Sequence, residues 1–152
     1  MAWLIAFHVL GTVVWIGGMF FAHMALRPAA ASVLDAPNRL RLMQKTLGTF
    51  FLWVWASIIA LWISGFGIIG LFGGMKGLGI HVHSMMGIAL LMTAIFAYLY
   101  FVPFLALRKT VREENWNTAG KRLALIRQLV ATNLVLGLIT TIIGAAGRYV
   151  GG

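Results

Sequence analysis

Four long apolar stretches alternate with short polar ones along the chain, at residues 2–26, 47–72, 81–105 and 123–146. A hydrocarbon core about 30 Å thick takes about 20 apolar residues per helix, and each stretch is long enough to cross it. The pattern predicts an all-α fold, an integral membrane four-helix bundle with antiparallel, up-down helices in a single transmembrane domain spanning 1–152. The first stretch does not read as a signal peptide, because it lacks a basic n-region and is longer than a typical h-region. The polar segment 27–46, with Pro28 and Pro37, reads as a solvated connector. The segment 102–122, with Pro103 and the run Arg112-Glu-Glu-Asn-Trp-Asn117, is expected to carry helix three past the membrane surface and then turn. Trp116 reads as an interfacial anchor.

Composition agrees with the pattern. The chain is 61% hydrophobic and only 10% charged, more apolar surface than a soluble fold of 152 residues can hide. Of the 12 basic residues, all but Lys76 and Arg148 fall in or beside 27–46 and 102–122. The positive-inside rule places that side in the cytoplasm, so both termini and the glycine-rich turn at 73–79 are expected on the periplasmic side of a bacterial inner membrane. A net charge of +9 therefore reflects topology and implies no nucleic-acid partner. The acidic residues are Asp35, Glu113 and Glu114, all outside the apolar stretches. Paired-carboxylate catalysis and intramembrane carboxylate relays have no material here. With no cysteine, disulfides, thiolate metal sites and covalent haem attachment are excluded.

Each helix carries small or polar residues at helical spacing, among them His8, Gly11, Trp15 and Gly18 in the first and Ser57, Ala60, Ser64 and Gly67 in the second. The third has His83 and Gly87, and the fourth Asn133, Gly137, Thr141 and Gly144. Such stripes let helices approach closely in lipid, and four of them facing inward can also leave a slot for a cofactor. Asn133 is expected to bond Ser57 or His23. A quinone site near His23, Arg127 and Asn133 is a further option. The Gly70…Gly74 pair has the spacing of a homo-oligomer contact.

The histidines are His8, His23, His81 and His83. Ionisable groups inside a membrane are functional candidates by default. His8 and His23 lie about 22 Å apart along one helix and cannot share a metal. His23, near the cytoplasmic end, reads as structural or interfacial. An antiparallel bundle brings His8 level with the start of helix three. His81 and His83 are about 200° apart on a helix, so only one faces inward; His83, being deeper, is the expected one.

Three readings follow. In the first, His8 and His83 ligate a b-type haem that transfers electrons near the periplasmic face, with a redox partner or quinone. Gly11 and Gly87 let the porphyrin lie flat, Phe7, Trp15 and Met86 wall it, and Lys76, His81 and Arg148 pair with its propionates. In the second, His81 and His83 with Met75, Met85 and Met86 form a copper site, since imidazole and thioether suit copper. In the third, the histidines only hydrogen-bond within the bundle.

Helix one reads Trp3-Leu-Ile-Ala-Phe-His8, then Val14-Trp-Ile-Gly-Gly18, then Arg27-Pro28. This resembles the opening of the CopD-like copper-resistance membrane proteins and of the related HemJ-type membrane protoporphyrinogen oxidases. Ser64-Gly65 and the His-x-His opening of helix three fit the same pattern. The resemblance implies copper transport or homeostasis on one branch. On the other it implies porphyrinogen oxidation, with His8 as a haem ligand. That oxidase branch usually carries a Tyr-His near the end of helix one, where this chain has Phe20-Phe-Ala-His23, and a lysine in helix three, where it has His83.

Overall fold

The apolar pattern resolves into four long helices: α1 (Ala2–Val33), α2 (Ala36–Leu71), α3 (Ile80–Arg112) and α4 (Trp116–Val150). They are seen in a computed structural model that describes residues 1–150, apart from the side chains of Arg148 and Val150. There is no strand among the described residues. All four helices are long and apolar enough to cross a membrane. The protein is a multi-pass membrane protein, and Trp3, Phe7, Ile63 and Phe101 on its exposed flanks meet lipid.

The helices run further than the apolar stretches at the basic end. Segment 27–46, expected as a connector, is helical except at Leu34 and Asp35. Pro37 sits in the first turn of α2, where a missing N–H costs no intrahelical bond. Pro28 directly follows a π turn inside α1, and the altered register there carries the helix past its missing donor. The residues between are mostly good helix formers. The turn itself is tightened by Asn38 Nδ2 donating to Asp35 Oδ1 at 2.6 Å. α3 continues to Arg112 and then turns, as the sequence led us to expect.

Two wide π turns interrupt the ladders, at Ala22–Leu26 in α1 and at Tyr100–Phe104 in α3. Pro103 lies inside the second, where the altered register absorbs its missing donor without breaking the helix. The α3–α4 turn closes with Asn115 N–H on the Thr110 carbonyl at 2.9 Å and Glu114 N–H on Val111 at 3.2 Å. Glu114 takes the left-handed conformation (φ 55°) that such an end requires. Arg41 pairs with Glu114 at 3.2 Å and lies 4.8 Å over the Trp116 ring, tying the start of α2 to this turn.

The α2–α3 turn needs glycine, since Gly73 and Gly74 have φ of +83° and +94°. This corrects the expected homo-oligomer motif. Gly70 ends a helix and Gly74 lies in the turn, so the pair presents no continuous helical face.

α1 packs chiefly on α2, and α3 chiefly on α4. Glycine permits the close approaches. A Cβ on Gly11 would sit 3.2 Å from the Ser57 carbonyl oxygen, and one on Gly137 would sit 2.9 Å from Ile16. Between the pairs lies an aromatic hub. Phe51 is 1% exposed and meets Phe104 and Phe96 edge-on at 4.9 and 5.3 Å. Trp15 and Trp55 close on Phe96 from two other sides. Each such pair contributes about 0.5–1.5 kcal/mol beyond area burial. Asn133 is buried and donates from Nδ2 to the Met92 carbonyl at 3.1 Å. Its partner is thus neither Ser57 nor His23, because α4 turns this face to α3.

Phe51→Ala should leave a cavity of roughly 100 Å³ in the hub and cost about 2 kcal/mol. Thermal unfolding in detergent should show a lower midpoint. An unchanged midpoint would mean the hub does not hold the two helix pairs together.

Candidate functional site

A cavity of about 560 Å³ opens between all four helices in the half of the bundle away from the basic end. His8 enters it from α1, half-buried. Across the α1–α2 contact stands Ser64, 1% exposed. The Ser64 hydroxyl donates back to the Ala60 carbonyl at 2.6 Å, with the Leu61 carbonyl at 3.2 Å. A hydroxyl has one proton, so its oxygen is left as an acceptor toward His8 Nδ1, 3.0 Å away. The hydrogen-bond network therefore assigns the imidazole proton to Nδ1. Nε2 keeps a free lone pair. An oriented, neutral imidazole of this kind is what a metal ion binds, and the partner on the other nitrogen sets the tautomer.

The opposite wall comes from α3. Met85, Met86 and Met92 all line the cavity, bringing three thioethers to the same space as His8. Gly144 of α4 makes room for Met85, whose Cε would lie 2.8 Å from a Cβ there. Trp62 Nε1 donates to Thr93 Oγ1 at 3.2 Å and braces α2 against α3. The remaining polar groups are acceptors, because Thr140 and Thr141 spend their protons on their own helix, each at 2.8 Å. Trp15 supplies the one contrary feature. Its ring lines the cavity and is 3% exposed, yet Nε1 has no hydrogen-bond partner among the described residues. A buried donor without a partner is costly.

No carboxylate is among the described lining residues, and among the described residues no three His, Asp or Glu side chains gather around one point. The donor set is therefore neutral and soft. It suits a monovalent soft cation better than a hard divalent one, whose burial without counter-charge is far more costly.

Several expected site residues lie elsewhere. His83 is exposed, does not line the cavity, and has Nδ1 3.2 Å from its own helix's Gly79 carbonyl. The inward member of the pair is His81, packed against α4 where a Cβ on Gly147 would come within 2.7 Å of its own Cβ. The two-residue spacing sets the angle between these imidazoles, but the space left by Gly147 decides which one turns in. The structure thus brings His8 together with Met85 and Met86, and does not bring it to His83 or to His81.

The other haem contacts fare similarly. Gly11 is taken up by Leu61 and Ser57 of α2, Gly87 has open space around it, and Phe7 faces outward. Lys76 is exposed in the turn after α2 with Met75, and neither lines the cavity. Arg148 lies in the last turn of α4 with its side chain outside the described residues. Of the quinone residues, His23 and Arg127 line a separate cavity at the basic end, while buried Asn133 does not. Ser64, Trp62, Thr93 and Met92 complete the site without having been singled out for it. Ser64 stood in the small-residue stripe of helix two, but spacing alone could not pair it with His8.

A family model described as copper resistance protein D matches residues 44–146. Searches of curated proteins and of solved structures return no match. The matched stretch holds Ser64 and the three methionines, and the family is copper-related; nothing found supports a haem. With well over half of its length matched, the chain belongs to the copper resistance protein D family.

Proposed function

We propose that this protein moves copper, as Cu(I), through the bacterial inner membrane, with the ion as cargo in the cavity between the four helices. The observation that carries this reading is the His8–Ser64 hydrogen bond. It leaves Nε2 of a membrane-embedded imidazole free in a cavity that three methionine thioethers also line. Imidazole and thioether are soft neutral donors, and Cu(I) is the common biological cation that they favour. Their neutrality also suits a cargo. Binding without a fixed counter-charge stays weak enough for the ion to leave again.

Charge asymmetry gives the direction. Basic residues crowd the ends of α1, α3 and the starts of α2 and α4, which puts that side in the cytoplasm. Both termini and the half of the bundle that holds the His8 cavity then lie toward the periplasm. The aromatic hub around Phe51 lies between this cavity and the cytoplasmic end. A bis-histidine haem, by contrast, needs a second imidazole in the cavity, and His83 is turned away from it.

His8→Ala should abolish Cu(I) binding by the purified protein, measured by competition with a chromogenic Cu(I) chelator. Ser64→Ala should weaken it by roughly 10–100-fold, the usual effect of losing the group that orients a metal-binding histidine. Unchanged affinity in both variants rules out this site. The same preparation, expressed with haem supplied, should show no split α and β bands after dithionite; a sharp Soret band with such bands would restore the cytochrome reading.

A C-terminal alkaline phosphatase fusion should be active and a C-terminal green fluorescent protein fusion dark. The reverse result would invert the proposed orientation.

A further inference from the structure

The cavity at the basic end, about 540 Å³, is independent of the copper site. Arg27 of α1, Arg39 of α2, and Lys121 and Arg127 of α4 all line it, with His23 beside them. None of these four cations makes a hydrogen bond or ion pair among the described residues, where the one salt bridge is Arg41–Glu114. The chain cannot neutralise them itself. It has three acidic residues; Asp35 accepts from Asn38, and Glu113 and Glu114 stand in the α3–α4 turn. Lys121 and Arg127 are exposed and Arg27 and Arg39 part-buried, so an external anion has access to them.

Membrane topology explains why basic residues collect at this end, but not why these four converge. Arg41, Lys45, Arg108, Lys109, Arg112 and Arg122 occupy the same end and stay out of the cavity. Nor is the cavity simply polar. Ala31, Ala36 and Ala124, exposed, and Leu123, part-exposed, form its apolar floor over buried Leu40, Met43 and Leu47. Trp116, held by Arg41, stands in its wall. A free inorganic anion satisfies the cations and leaves this floor bare. A molecule with a phosphodiester head and a hydrocarbon tail satisfies both. Basic pockets between helices at the cytoplasmic surface recognise lipid head groups through the same chemistry.

We propose that this cavity is a binding site for an anionic phospholipid, its phosphodiester held by Arg27, Arg39, Lys121 and Arg127 and an acyl chain laid along Ala36, Leu123 and Ala124.

Native mass spectrometry of the detergent-purified full chain, titrated with phosphatidylglycerol or phosphatidylethanolamine, tests this. Phosphatidylglycerol should bind at least about tenfold more tightly, since each basic group near the head group contributes about a fivefold gain. The double variant Arg27→Gln/Arg127→Gln should lose that preference. The pair Arg108→Gln/Arg112→Gln removes the same net charge outside the cavity and should keep it. Equal binding of the two lipids by the unaltered protein overturns the proposal without recourse to any variant. Loss of preference in both pairs also overturns it, by showing a diffuse charge effect. Displacement of phosphatidylglycerol by millimolar inorganic phosphate would identify a free-anion site and sink the lipid reading.

Discussion

Hydrocarbon offers no hydrogen-bond partner, so every polar group this chain carries into the membrane must be satisfied by the chain itself. Much of the structure follows from that constraint. The hydroxyls of Thr12, Thr93, Thr140 and Thr141 return to carbonyls four residues back on their own helices. Pro103 is tolerated only because a π turn re-registers the ladder around it. Asn133 reaches across from Nδ2 to the Met92 carbonyl, while its buried Oδ1 has no partner among the described residues. The helices are otherwise held by shape, with glycines set under large side chains and an aromatic hub between the two helix pairs, because lipid gives apolar side chains no reason to prefer one another.

Seen against this economy, two cavities define the functional geography. One is the His8 cavity, where Ser64 holds His8 Nδ1 and the Trp15 N–H has no partner among the described residues. The other is the basic-end cavity, where four cations meet no carboxylate among the described residues. The aromatic hub separates the two. A soft neutral cavity on one side and a charged amphipathic one on the other give the bundle chemically distinct ends, although all four helices share much the same composition.

Copper resistance protein D membership and the donor set agree with each other from independent directions. The family match covers α2 to α4 and does not include His8. The geometry reaches His8 from Ser64 and three methionines that lie inside the matched stretch. The carboxylate-free wall adds a physical reason for a monovalent soft ion, which neither the family description nor the histidine count supplies.

The spans, the all-helical class and the side on which the basic residues gather were legible in the sequence, because lipid imposes a length and a composition on anything that crosses it. His8 was legible as a candidate, being an ionisable residue within an apolar span. The polar segment 27–46 differs from the expected connector, because Pro37 sits in a first helical turn and Pro28 follows a π turn, and neither breaks its helix. The partners of each histidine were not legible at all. Helical periodicity sets the angle between His81 and His83 but not the rotation of the whole helix about its axis, and that rotation is decided by what packs against it. Gly147 leaves room for His81, so His83 turns out and Met85 and Met86 turn in. Which donors share a cavity is a property of four helices packed together, and only the tertiary structure contains it.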